Sequence, residues 1–200
     1  FDESGSNGSS LYDIASDFTL TTSLEMWNLK ENWSGCETYL FIQDKPTQTN
    51  GWTTPLWSRD VSDLLTRLPQ NTHLFFMSTK TKMGDILKSI NVIKTQIDEY
   101  LLTIDGETAA ALTRRIHYVY DPAKEIEGWL GATMVSPGWG VGIDRFQRIR
   151  YIGSYADYSR YDSSKQWFAP NIKMAANEAI YYNYEFEREE RIAARNDTVI

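Results

Sequence analysis

Short apolar runs divided by turn-forming clusters run along this chain, and their spacing alternates between the strand and helix periods. Thr38-Tyr-Leu-Phe-Ile-Gln43 suits a strand buried on both faces. Residues 44–54 carry the turn formers Pro46, Asn50 and Gly51 and are expected to form a loop. Pro55 fits a helix start, where its missing N–H costs nothing. Trp57, Val61, Leu64, Leu65 and Leu68 follow at helical spacing until Pro69. A second strand is predicted over 72–77. A longer helix follows, with Met83, Ile86, Leu87, Ile90, Ile97 and Leu101 broadly on one face, and Gly106 is expected to end it. Arg115-Ile-His-Tyr-Val-Tyr120 reads as a third strand, closed by Asp121-Pro122.

A short helical piece over 125–130 leads into Ser136-Pro137-Gly138. Residues 139–144 and 148–153 then face each other across a tight turn, the pattern of a hairpin. A Tyr-rich loop and a helix over about 170–195 finish the chain, the helix burying Ala175, Ala176, Ala179 and Ile180. Before the first core strand the pattern is weak. Residues 1–10 are polar and expected to be mobile, and Phe18-Thr-Leu-Thr-Thr-Ser-Leu24 suggests an edge strand. Residues 1–35 are therefore expected to be a partly flexible extension of one domain over 36–200.

The element order is β-α-β-α-β-α-β-β-α. Right-handed parallel crossovers, an antiparallel hairpin and a closing helix imply a three-layer α/β/α sandwich with a mixed, mainly parallel sheet. This order resembles the thioredoxin-like fold. Gly142-Ile-Asp-Arg-Phe-Gln-Arg-Ile-Arg-Tyr-Ile-Gly153 resembles the terminal hairpin of redoxins and peroxiredoxins, and Pro137 lies near where that family carries a cis-proline beside its active site. The resemblance implies a Cys-x-x-Cys site where the second strand runs into its helix. Here those positions read Ser78-Thr79-Lys80-Thr81, and the Thr-x-x-Cys pattern of peroxiredoxins is missing as well. Dithiol exchange needs an attacking thiolate and a resolving thiol, which hydroxyls cannot supply.

Composition narrows the possibilities. The chain has 200 residues, 42% hydrophobic and 24% charged, the balance of an ordinary globular protein. Its net charge of −7 disfavours nucleic acid and anionic membranes, whose phosphates are held by Lys and Arg. No apolar run is long enough to span a bilayer, so a soluble chain without membrane insertion is expected. The chain opens on Phe1 rather than Met, and a processed product is expected. Sequons at Asn7, Asn32 and Asn196 favour a secreted or cell-surface glycoprotein.

Several residues are candidates for chemistry or contact. Ser78–Thr81 are the degenerate redox positions, together with Pro137. At a helix start they would meet an anion through free N–H groups, and the plainer reading is that Ser78 or Thr79 caps the helix. Cys36 is the single cysteine, expected to be buried as a small apolar residue rather than reactive, and otherwise an intermolecular disulfide partner. His73 and His117 lie on strands that the thioredoxin-like order makes neighbours, so the two rings could meet, although histidines in apolar strands are usually packed or hydrogen-bonded as structure. Neither zinc nor any other metal or cofactor is implied, because two His and one Cys show no ligand spacing. Tyr151, Tyr155, Tyr158, Tyr161 and Trp167 form the densest aromatic region and suit a contact surface.

The expected function is a redox-inactive module of an extracellular or surface glycoprotein. It would act through protein–protein contacts or self-assembly, as a subunit or processed segment of an extracellular assembly. A transferase or hydrolase working near Ser78 and Pro137 is the alternative, as is a glycan-binding module built on the Tyr/Trp loop.

Overall fold

The computed structural model describes residues 1–5, 10, 12–44, 46–49, 52–55, 62–67, 71–134 and 139–154. Among them, β3 (Thr38–Asp44), β6 (Thr72–Ser78) and β7 (Ile116–Val119) are the three expected parallel strands. β8 (Trp139–Ile143) runs antiparallel beside β3, and β9 (Ile149–Ser154) turns back along β8. The five-stranded sheet is ordered β7-β6-β3-β8-β9, with β3 at its centre. The final helix predicted over 170–195 lies outside the described residues.

The fold class follows from what the sheet buries. Leu40, Ile42, Leu74, Phe76, Ile116 and Tyr118 point to one face, where α1 (Ser62–Arg67), α2 (Met83–Leu101) and α3 (Gly106–Thr113) cover them. Tyr39, Phe41, Phe75, Met77, Val119, Val141 and Ile143 point to the other. Both faces being apolar, the strands read as continuous hydrophobic runs rather than as alternations. The second face is covered by α4 (Gly128–Met134) and by the N-terminal segment, which carries β1 (Thr19–Thr21) and β2 (Met26–Asn28). Phe18, Leu20, Trp27 and Leu29 from that segment are all buried there.

Four local readings need correction. Residues 46–55 are not a plain loop: β4 (Pro46–Thr49) and β5 (Trp52–Pro55) pair antiparallel, so Pro55 ends a strand instead of opening a helix. The Asn50-Gly51 dipeptide between them is the strongest two-residue hairpin signal. Gly106 starts α3 rather than ending the helical region, because Asp105 caps it by accepting the Thr108 N–H at 2.9 Å. On α2 the buried stripe is Ile86, Ile90, Ile93 and Ile97, while Met83 and Leu87 face solvent. Leu87 sits about 100° around the helix from Ile86 and so leaves that stripe.

The fourth correction concerns the N-terminus, where residues 1–5 are held rather than loose. Gln147, 2% exposed in the β8–β9 turn, accepts the Asp2 N–H at 2.7 Å. Its amide nitrogen donates to the carbonyls of Asp2 at 2.8 Å and Ala15 at 2.7 Å. Asp144 shapes this turn by accepting the N–H groups of Phe146 and Arg148, both at 2.9 Å. Gln147 itself takes the left-handed φ of 61°. In α4, Gly131 has no substitute: a Cβ there would meet the Ile126 carbonyl oxygen at 1.9 Å.

Trp27→Ala is expected to lower stability by about 3–5 kcal/mol, as a large aromatic lost from a closed core. Leu24→Ala, on the same hairpin but 66% exposed, is expected to change it by less than about 0.5 kcal/mol. Urea unfolding midpoints of the two variants check both, and equal midpoints would contradict the packing of β2 on the sheet.

Candidate functional site

The parallel register Asp44↔Ser78 brings the carboxyl ends of β3 and β6 together, and this is where the degenerate redox positions lie. Ser78 is the last residue of β6, fully buried, and not the first residue of a helix. Its Oγ accepts the Lys80 N–H at 3.2 Å. Thr79 Oγ1 donates to the Asp44 carbonyl at 2.8 Å, and Ser89 Oγ of α2 donates to the Asp44 carboxylate. Lys80 and Thr81 are exposed. The N-cap of α2 is Lys82, with no side-chain cap, so neither Ser78 nor Thr79 caps the helix. Their hydroxyls fasten the turn to β3 instead. On the opposite face Gln43, 1% exposed, donates its amide to the Met134 carbonyl at the end of α4.

Cys36 lies at the far end of the same strand. It is exposed and not buried as expected, because it precedes the strand in the bend before β3; its carbonyl accepts from Asn71 Nδ2 at 2.9 Å, and eight residues separate it from Asp44. At ~3.3 Å per residue that is roughly 26 Å. No thiol therefore reaches the Ser78 turn from Cys36. Pro137, Tyr155, Tyr158, Tyr161, Trp167, Asn7 and Asn196 lie outside the described residues. Tyr151 is within β9, where its backbone pairs with Gly142. Asn32 is exposed, its amide donating to the Asn28 carbonyl at 2.8 Å.

The amino ends of the strands hold a second polar cluster. Parallel registers Tyr39↔His73 and Phe75↔His117 place both histidines on the face covered by the N-terminal segment. Their rings stack with centroids 5.2 Å apart at 14°, and His73 Nδ1 lies 2.9 Å from His117 Nε2. The meeting of the two imidazoles that the strand order allows is therefore observed, as a packed and hydrogen-bonded pair. His117 also stacks on Phe75 at 4.3 Å and lies under Trp27 at 6.0 Å. Glu37 completes the row, its Oε1 3.1 Å from His73 Nε2 but off the N–H axis, so the contact is electrostatic rather than a full hydrogen bond. Ser34 Oγ donates to the other Glu37 oxygen at 3.0 Å, and the Tyr39 hydroxyl donates to the Asn32 carbonyl at 3.3 Å.

Proton positions follow from these neighbours. A carboxylate favours a protonated nitrogen opposite it, so the His73 proton sits on Nε2 and Nδ1 accepts from the N–H of His117. Burial is the main force keeping both rings neutral. It lowers His73 below its ordinary value, with Glu37 opposing and Arg115 adding to the shift. It pushes His117 down to about 3, helped by His73. Burial, with Glu37 beside it, also holds the Tyr39 phenol well above its usual range. Glu37 and Tyr39 were not foreseen, although both lie at the even spacing that shares a strand face with Phe41.

The fold is thioredoxin-like: parallel β3, β6 and β7, an antiparallel β8–β9 hairpin beside the central strand, and one cysteine where that fold's redox members need two. No family model matches the chain, and no curated protein does. Solved structures do resemble it. A Chlorobium tepidum protein described as a thiol:disulfide interchange protein DsbE is 13% identical, with 74% of this chain and 86% of that one covered and a TM-score of 0.39. A hypothetical protein from Sinorhizobium meliloti 1021 is 14% identical over 86% and 85%, with a TM-score of 0.43. A Geobacillus kaustophilus protein is 15% identical over 80% and 77%, also with a TM-score of 0.43. Likenesses of this size carry nothing about chemistry.

The histidines give stability a defined pH dependence. Both folded-state values lie below the ordinary 6.5, so the unfolded chain binds protons first as pH falls. Stability is expected to be full above about pH 6.5 and to fall steadily toward about pH 3, by up to on the order of 5 kcal/mol from His117. Urea midpoints measured across that range check this, with His117→Phe expected to flatten the slope.

Proposed function

We propose that the chain is a thioredoxin-like module without dithiol chemistry, working through protein contacts as part of a secreted or cell-surface glycoprotein. The observation that carries this reading is the Ser78 turn. Its buried Ser78 hydroxyl and its Thr79 hydroxyl are committed to Lys80 N–H and the Asp44 carbonyl, and the single thiol lies at the other end of the sheet. A scaffold kept while its reactive turn serves only as structure is suited to binding.

Exposed apolar side chains support the contact role: Tyr12 at 58%, and Leu24 and Met26 at 66% and 64% on the β1–β2 hairpin. The exposed Asn32 supports the glycoprotein. An enzyme using the histidines is disfavoured, because His117 is 6% exposed under Trp27 and Phe75 and offers a substrate no approach from that side.

In a protein-disulfide reduction assay the chain is expected to show no turnover above buffer, with Cys36→Ser indistinguishable from it. Turnover abolished by Cys36→Ser would refute the redox-inactive reading. The native material is expected to lose mass on deglycosylation, with Asn32→Gln lighter by one glycan, and to run at a multi-chain native mass. An unmodified monomer would remove the secreted-assembly part of the proposal.

A further inference from the structure

We propose that the Glu37–His73–His117 row is an acid-sensitive latch that holds the segment carrying β1 and β2 against the sheet. This goes beyond the contact role and does not depend on it.

The geometry puts the titratable pair directly beneath what it would release. Trp27 of β2 lies on His117, Phe75 and Tyr39 at 6.0, 4.6 and 5.6 Å. The backbone just after His117 carries the same segment: Ser23 N–H donates to the Tyr118 carbonyl at 2.9 Å, and Tyr120 N–H donates to the Thr21 carbonyl at 2.8 Å. Thr22 bridges Val119 between them. Downstream of β2, Ser34 and Asn32 are tied to Glu37 and Tyr39. Ring, strand edge and carboxylate thus grip one segment at three places.

The charges facing the pair set its response. From ahead of β3, Glu37 reaches His73. From β3, Tyr39 stays a neutral phenol. From ahead of β7, the Arg115 guanidinium opposes any added positive charge. β2 contributes only Trp27, which is uncharged. A first proton is accommodated on His73, between Glu37 and the lone pair of His117 after that ring changes tautomer. A second proton has no anion to meet on His117 and would leave two cations stacked 5.2 Å apart beneath an indole. The ring must then move out, taking Trp27 and the β7 edge with it.

Hydrogen exchange read by mass spectrometry, corrected for intrinsic rates, tests this from about pH 7.5 down to about pH 4.5. Protection in residues 18–29 is expected to fall at higher pH than in β3 and β6, and by about tenfold more, the core strands losing only what the drop in global stability takes. His117→Phe, which preserves the stack but cannot titrate, is expected to hold that protection constant. Constant protection in the wild-type chain, an equal loss in His117→Phe, or a loss in β3 and β6 as early and as large as in residues 18–29 would each overturn the latch. Should His117→Phe fail to fold, His73→Gln decides. Removing the second imidazole takes away the paired cation, so His117 can be protonated in place and residues 18–29 should lose less protection over this range; an undiminished loss overturns the proposal.

Discussion

A sheet that is apolar on both faces has to be covered twice, and most of this structure answers that requirement. Three helices close one side, with the isoleucine stripe of α2 as the main contact. The other side receives only α4 and a 3-10 turn over Ala123–Glu125 among the described helices, and these are too short to reach across five strands. The N-terminal segment fills what is left, with Phe18, Leu20, Trp27 and Leu29 inside the core and Gln147 fixing its start. What reads in sequence as an extension therefore shares its interior with the domain that follows.

The two polar clusters lie at opposite ends of the same strands. At the carboxyl ends, Asp44, Thr79 and Ser89, all half-buried, bind turn to strand to helix. At the amino ends, two neutral imidazoles replace what in neighbouring positions are phenyl rings, and the aromatic stack continues through them. Neutral histidine is the one side chain that can serve as an aromatic ring at neutral pH and as a cation in acid.

The strands and the terminal hairpin were legible because each is a short apolar run bounded by strong turn formers. The β-α order fixed their neighbours, and so the meeting of His73 with His117. Three things were harder to read. Ser78 was displaced from strand to helix because its short side chain says nothing of burial, whereas its register with Asp44 does. Gly106 reads as a stop because glycine both ends and begins helices, and only the preceding Asp105 distinguishes the cases. The burial of Trp27 is not legible in sequence, because β1 and β2 are three residues each, too short to display a period.

Gln147 also orders events in time. It lies 145 residues after Asp2 and 132 after Ala15, yet it is the side chain that secures both. At a ribosomal pace of about 5–20 residues per second, the beginning of the chain waits roughly ten seconds or longer for its anchor to be made. Phe18, Leu20 and Trp27 are synthesised early and are locked in place late. The nascent chain thus exposes the half of its core nearest its first residue to chaperones and to neighbouring ribosomes' products until the last hairpin emerges.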